Sequence, residues 1–322
     1  MGYGQKANLG IIFQNSFGTV GDTGSAHFIP LLSENLKLNI PPMYSENMRG
    51  VIDEGDTYEG PRTVDGEIAT EAMPEPAAVL FKTVLEETAK VTSDDLQTRT
   101  FKPRVSDFDE VSANNPFTAY AYRDTGSAQL FYDLNGSGLE IGIANGEFLK
   151  LKTTIVGGQY SEIANVAAAY PTGKRWTWDV ASTTVGGSAV PELMDLTIVL
   201  DDGALEAIHV LNASKYPNRI KRTNWRTIAV NGTLKFDNQT EYQQFISQSE
   251  RELIVHCEGN VEIQSGYYDS ITIKLPLLRY EEAQPTVEGP GQIEMSFTAR
   301  GKYSVDSGTA LEITHVSTLA NL

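Results

Sequence analysis

One cysteine, four histidines and three tryptophans stand in 322 residues. A single thiol, Cys257, excludes a disulfide within the chain, and its run Leu253-Ile254-Val255-His256-Cys257 reads as a buried apolar strand. His27, His209, His256 and His315 are scattered, with no HExxH pair and no Cys/His cluster, so a zinc site has no ligand set. Phosphate loop, GxSxG elbow and Rossmann fingerprint are all missing, and no cofactor, metal or catalytic residue is expected. Long apolar runs are missing too. Nothing approaches the length of a membrane span, and the start MGYGQKANLGIIF lacks the apolar core and cleavage pattern of a signal peptide. The expectation is a chain folded in a cytoplasm.

Positive charge is also short. Against 42 acidic side chains stand 25 basic ones, a net charge of −17. No basic surface is left over to displace counterions from nucleic acid or to hold an anionic membrane. The acid excess runs through both halves with signs mixed, which is a solvated surface rather than an acidic tail. Hydrophobic content of 40% is enough for a packed core. The length is about twice the commonest domain size, so two domains or one large β domain is expected.

Strand signals dominate what is present. Residues 271–275 (ITIKL) and 293–300 (IEMSFTAR) alternate apolar and polar side chains, the pattern of half-buried strands. Residues 33–38, 64–72, 128–134, 138–144, 148–156, 194–200, 227–236, 251–258 and 309–316 read similarly. Asn135-Gly136, Asn145-Gly146 and Asp202-Gly203 are tight-turn dipeptides between such runs. Two helices interrupt them. One is predicted over 76–90, with Pro76 at its start and Leu80, Phe81, Val84, Leu85 and Thr88 on one stripe. The other is predicted over 239–248, with Asn238 as N-cap, Glu241 completing a capping box, and Tyr242, Phe245 and Ile246 as its apolar face.

The helices stand in matching contexts. Val64-Asp65-Gly66-Glu67-Ile68 precedes the first and Val230-Asn231-Gly232-Thr233-Leu234 the second, and each set of following strands closes on Gly-x-Tyr-Ser, at 158–161 and 301–304. The order strand, loop, strand, helix, several strands occurs twice, which points to an internal duplication. The repeat is loose. The spacing between the two copies differs at their two ends, and residues 148–156 run out of phase with 293–300 unless a bulge intervenes.

Two motifs imitate chemistry. Asp-Thr-Gly-Ser occurs at 22–25 and 124–127, the tetrapeptide of aspartic proteases, but Gly21 and Arg123 precede the two copies where a buried dyad needs an apolar strand. Asp133-Leu-Asn135-Gly-Ser137-Gly138 copies half a calcium loop, yet Ala144 holds the position of its bidentate Glu. Both read better as turns. One charge contrast stands out. Residues 46–62 carry Glu46, Asp53, Glu54, Asp56 and Glu59 against Arg49 and Arg62, whereas 215–226 carry Lys215, Arg219, Lys221, Arg222 and Arg226 and no acid. Under the duplication these are equivalent loops of opposite sign, suited to docking between subunits or rings.

Several segments together resemble the tail tube (major tail) proteins of long-tailed bacteriophages. They are the Gly-rich amino-terminal arm through Phe17-Gly18-Thr19, IPLLSENLKL at 29–38, and MRGVIDEGDTYEGPRTVDGEIATEAMP at 48–74. The helix that follows and FYDLNGSGLEIGIANGEFLK at 131–150 complete the set. The resemblance implies a mainly β fold, a β-sandwich or barrel with flanking short helices, in two tandem tube-like domains at 1–170 and 171–322. Single-domain relatives form rings of six whose inner sheets join edge to edge, so a tandem chain implies a ring of three that stacks into a tube. It further implies a non-enzymatic virion protein assembled with tape measure, terminator and distal tail proteins, and an acidic lumen that DNA crosses without specific binding. Residues expected on the lumen are Glu140, Thr272, Glu294, Ser296 and Thr298, with Lys274 as a basic exception. A tail terminator or hub ring of the same fold is the nearest alternative, and an aspartic protease using Asp22 and Asp124 a distant one.

Overall fold

The computed structural model describes residues 3–48, 50, 52, 53, 55–105, 116–237, 239–287 and 289–322. The chain is mainly β, and every strand pairing is antiparallel. A run of eight strand positions forms its backbone. The segment 33–39 pairs with Thr63–Glu71, which pairs with Lys150–Ile163, then Ala128–Ala144. From there the run continues through Leu193–Asp201, Thr227–Lys235 and Glu294–Lys302 to Tyr267–Thr286.

The strands Ala128–Ala144 and Tyr267–Thr286 are long enough to serve two layers. Each shifts register once against its neighbour in the run, between Gly136 and Gly138 and between Tyr280 and Glu282. Before the shift the first lies beside Phe117–Tyr122, and the second lies between Arg251–Gln264 and Glu312–Ser317. Asn135-Gly136, expected as a turn, is therefore a bulge inside one continuous strand. The core fills the space between the layers, with Val64, Ile68, Leu151, Ile155, Leu196, Ile198, Val230 and Phe297 from the eight-strand run facing Phe117, Val255, Ile271 and Ile313.

Helix α1 spans Pro74–Val84 and is buried on nearly every side. It stops well short of residue 90, because Glu86–Ser93 instead forms a hairpin with Leu96–Lys102, turned by Asp94 in the left-handed region. Pairing overrides the helical tendency of Glu87 and Lys90 here. Helix α2 spans Thr240–Ser247 with no fully buried residue. Its expected N-cap, Asn238, lies outside the described residues. The capping box expected between it and Glu241 therefore also lies outside the described residues; the Glu241 carboxylate accepts the Tyr280 hydroxyl at 2.7 Å. Asn8–Phe13 and Phe117–Tyr122 carry no period-2 signal because four and five consecutive residues are buried.

One order of pairing recurs along the chain. Asn8–Phe13 pairs with Phe117–Tyr122 as Ala181–Val185 pairs with Arg251–Gln264. Val64 stands opposite Leu38 and Gly157, and Val230 opposite Ile198 and Ala299. Gly157 thus takes the place of Ala299, one residue away from the match suggested by the two Gly-x-Tyr-Ser segments. That one residue restores the phase, since Thr153 and Ile155 then fall with Met295 and Phe297, all buried. Among the described residues the hairpin strand Leu96–Lys102 has no counterpart in the second half, and it pairs with Glu312–Ser317.

Candidate assembly surfaces

Strand alternation puts the core on one face of the eight-strand run and polar side chains on the other. Glu140, Glu294, Ser296 and Thr298 share that polar face. Glu140 stands opposite Lys152 and Val199, Thr298 opposite Asn231 and Glu282, and Glu294 opposite Lys235 and Thr286. Acids outnumber bases here: Asp65, Glu67, Glu71, Glu140, Asp195, Asp201, Glu281, Glu282 and Glu294 against Lys37, Lys150, Lys152, Lys235, Arg279, Arg300 and Lys302. Cross-strand pairs neutralise part of this, with Lys37 at 3.5 Å from Asp65 and Lys152 at 3.0 Å from Glu67.

Thr272 and Lys274 sit elsewhere. Both lie on the part of Tyr267–Thr286 that pairs with Arg251–Gln264 and Glu312–Ser317, in the second layer. Thr272 Oγ1 is 2.8 Å from His256 Nδ1, and Lys274 pairs with Glu252 at 2.5 Å. The structure therefore does not bring them together with Glu294, Ser296 and Thr298.

The run has two open edges. Among the described residues, neither 33–39 nor 281–286 carries a further strand on its outer side. In the middle, Gly138–Ala144 pairs with Asp195–Asp201, joining the two recurring halves edge to edge.

The two loops of opposite sign meet inside the chain. The first, 40–62, holds a hairpin of Pro42–Tyr44 with Thr57–Glu59, and the second, 202–226, one of Leu205–Ile208 with Arg219–Arg222. Arg62 N–H donates to the Lys215 carbonyl at 2.8 Å, and His209 Nε2 lies 3.1 Å from the Arg62 carbonyl. The Arg62 guanidinium donates to Tyr216 Oη at 2.8 Å and to Glu59 at 2.6 Å, and Lys215 pairs with Glu59. Hydrogen bonds from Lys215 and Arg62 hold the Glu59 carboxyl below its ordinary range. Asp53 and Asp56 occupy the tip of the first loop, Glu54 lies outside the described residues, and Arg219 and Lys221 lie on a hairpin strand of the second.

Arg222 and Arg226 are turned inward, toward a residue that sequence reading treats only as a turn. Asp202, 1% exposed, accepts Arg222 Nη2 at 2.9 Å and Arg226 Nε at 2.6 Å. Arg226 also donates to the carbonyl of Arg104 at 2.7 Å. Arg104 is itself buried, donates to Thr83 O at 2.6 Å, and is pushed down to about 10 by burial. Asp133 is a second such anchor: it accepts Gly18 N–H at 2.6 Å, Gln14 at 3.1 Å and Gln159 at 2.7 Å, tying the amino-terminal arm to the sheet. No linear signal marks these clusters, because their members are far apart in the chain.

The Asp-Thr-Gly-Ser copies are local structures. Asp22 accepts Gly24 N–H within a 3-10 turn, and Asp124 accepts Tyr3 N–H at 3.0 Å. No helix among the described residues is long and apolar enough to cross a membrane.

Comparison with curated proteins gives no match. A family model does match, that of the phage tail tube protein, over residues 4–301. The match takes in both recurring halves, the polar sheet face and both loops, and the chain belongs to the phage tail tube protein family.

Proposed function

We infer that the chain, which belongs to a structural, non-enzyme family of the phage virion tail, assembles with other copies of itself and with tail proteins. We propose that it does so as rings of three, each copy supplying two tandem tube domains at 1–170 and 171–322, and that the acid-rich sheet face lines the bore. The observation that carries this is the seam between Gly138–Ala144 and Asp195–Asp201. It joins two equivalent four-stranded units edge to edge, and it leaves the same two kinds of edge open at the ends of the run. Repeating one step between copies would close a barrel and remove every open edge, which for a free chain is an aggregation hazard.

A bore lined by Glu140 and Glu294 would repel DNA phosphates, so that DNA slides through rather than adheres. The ion pairs on the face moderate this without adding positive excess. Tape measure, terminator and distal tail proteins are the expected neighbours in the tail. Electron microscopy of the purified protein tests the reading. Rings that stack into tubes are expected; a monomer that persists at every concentration would count against it.

A further inference from the structure

We infer that the loop contact inside one chain is repeated between chains, with Met48 and Ile52 of a second copy seated over Trp225. The inference rests on the proposed ring, in which copies join by the step that joins the two halves. Inside the chain, the base of the first loop (Glu59, Arg62) is covered by the tip of the second (His209, Lys215, Tyr216). Val64 and Val230 hold equivalent places in their sheets, and counting back the same number of residues from each brings Glu59 in the first half to Trp225 in the second.

Trp225 is 80% exposed, whereas Glu59, at the corresponding place, is 32% exposed and held by Arg62 and Lys215. The tip that would cover it presents apolar side chains: Met48 and Ile52 are fully exposed on it. Charge agrees as well. The tip carries Glu46, Asp53 and Asp56, and the strand beside Trp225 carries Arg219 and Lys221. A central aromatic with a charged rim is the usual composition of an energetic anchor between proteins. The wrong pairings carry a penalty. A first-loop tip over a first-loop base would set Asp53 and Asp56 near Glu59, and a second-loop tip over a second-loop base would set Lys215 near Arg219 and Lys221. Like charges thereby enforce alternation of the two halves around the ring.

Two measurements on the full chain test this. Ile52→Cys protein is mixed with Trp225→Cys protein under oxidising conditions; Cys257 is buried and does not compete. A disulfide-linked dimer on a non-reducing gel is expected from the mixture. In parallel, Trp225→Ala is expected to raise the concentration for half-assembly at least tenfold, Trp225→Phe less than threefold, with both monomers melting as wild type does. Wild-type tubes accompanied by no cross-link and by undiminished assembly of Trp225→Ala would overturn the seam while leaving the tube reading standing. Absence of rings from the wild-type protein would overturn both.

Discussion

His315 is buried completely, with its Nε2–H donating to the Pro74 carbonyl at 2.6 Å and its ring set edgewise against Phe81 and Trp176. Burial, with help from Arg99, pushes the imidazole down from 6.5 to about 4. The unfolded chain then binds a proton near pH 6.5 that the folded chain refuses. The stabilisation is full above pH 6.5 and is lost as pH falls toward 4, on the order of 3 kcal/mol. Thermal melts of wild type should drop more steeply across that window than those of His315→Phe; parallel curves would remove His315 as the cause. The Asp202 cluster makes a second prediction at this scale. Asp202→Asn leaves buried Arg222 and half-buried Arg226 without their carboxylate and should cost roughly 3–5 kcal/mol in denaturant unfolding. A loss under 1 kcal/mol would mean the arginines find other partners. Neither residue was legible as an anchor. His315 reads as a core strand residue and Asp202 as a turn, because the groups that define them come from distant parts of the chain.

At the scale of elements, alternation was the readable signal. Strands with one polar face, such as Glu294–Lys302 and Thr227–Lys235, appear close to where their period-2 pattern places them. Strands covered on both faces, such as Phe117–Tyr122, have no such pattern and pass unseen. The first helix was legible in kind and not in length, since nothing local distinguishes its continuation from the hairpin that follows. Its seat was hidden as well. Gly136 lets α1 approach the bulge, and a Cβ there would meet Val84 Cγ2 at 2.5 Å and the Thr83 carbonyl at 2.8 Å. Gly136→Ala should therefore destabilise the fold by about 1–3 kcal/mol through forced separation of helix and strand. An unchanged melting temperature would show that the helix can shift at no cost.

For the whole molecule, the sequence carried the family resemblance, the repeated order of elements and the pair of oppositely charged loops. It did not carry the junction between the halves, because strand neighbours across 138–144 and 195–201 are set by register and not by any local motif. That junction joins two units edge to edge inside one chain, with the same edges open at either end. The symmetry of a single ring, measured by cryo-electron microscopy of the assembled tube, tests this most directly. Threefold symmetry is predicted, with eight strands from each chain around one continuous barrel. A ring of six chains, or a ring whose inner wall is not built from the strands 33–39 and 281–286 pairing between copies, would contradict it.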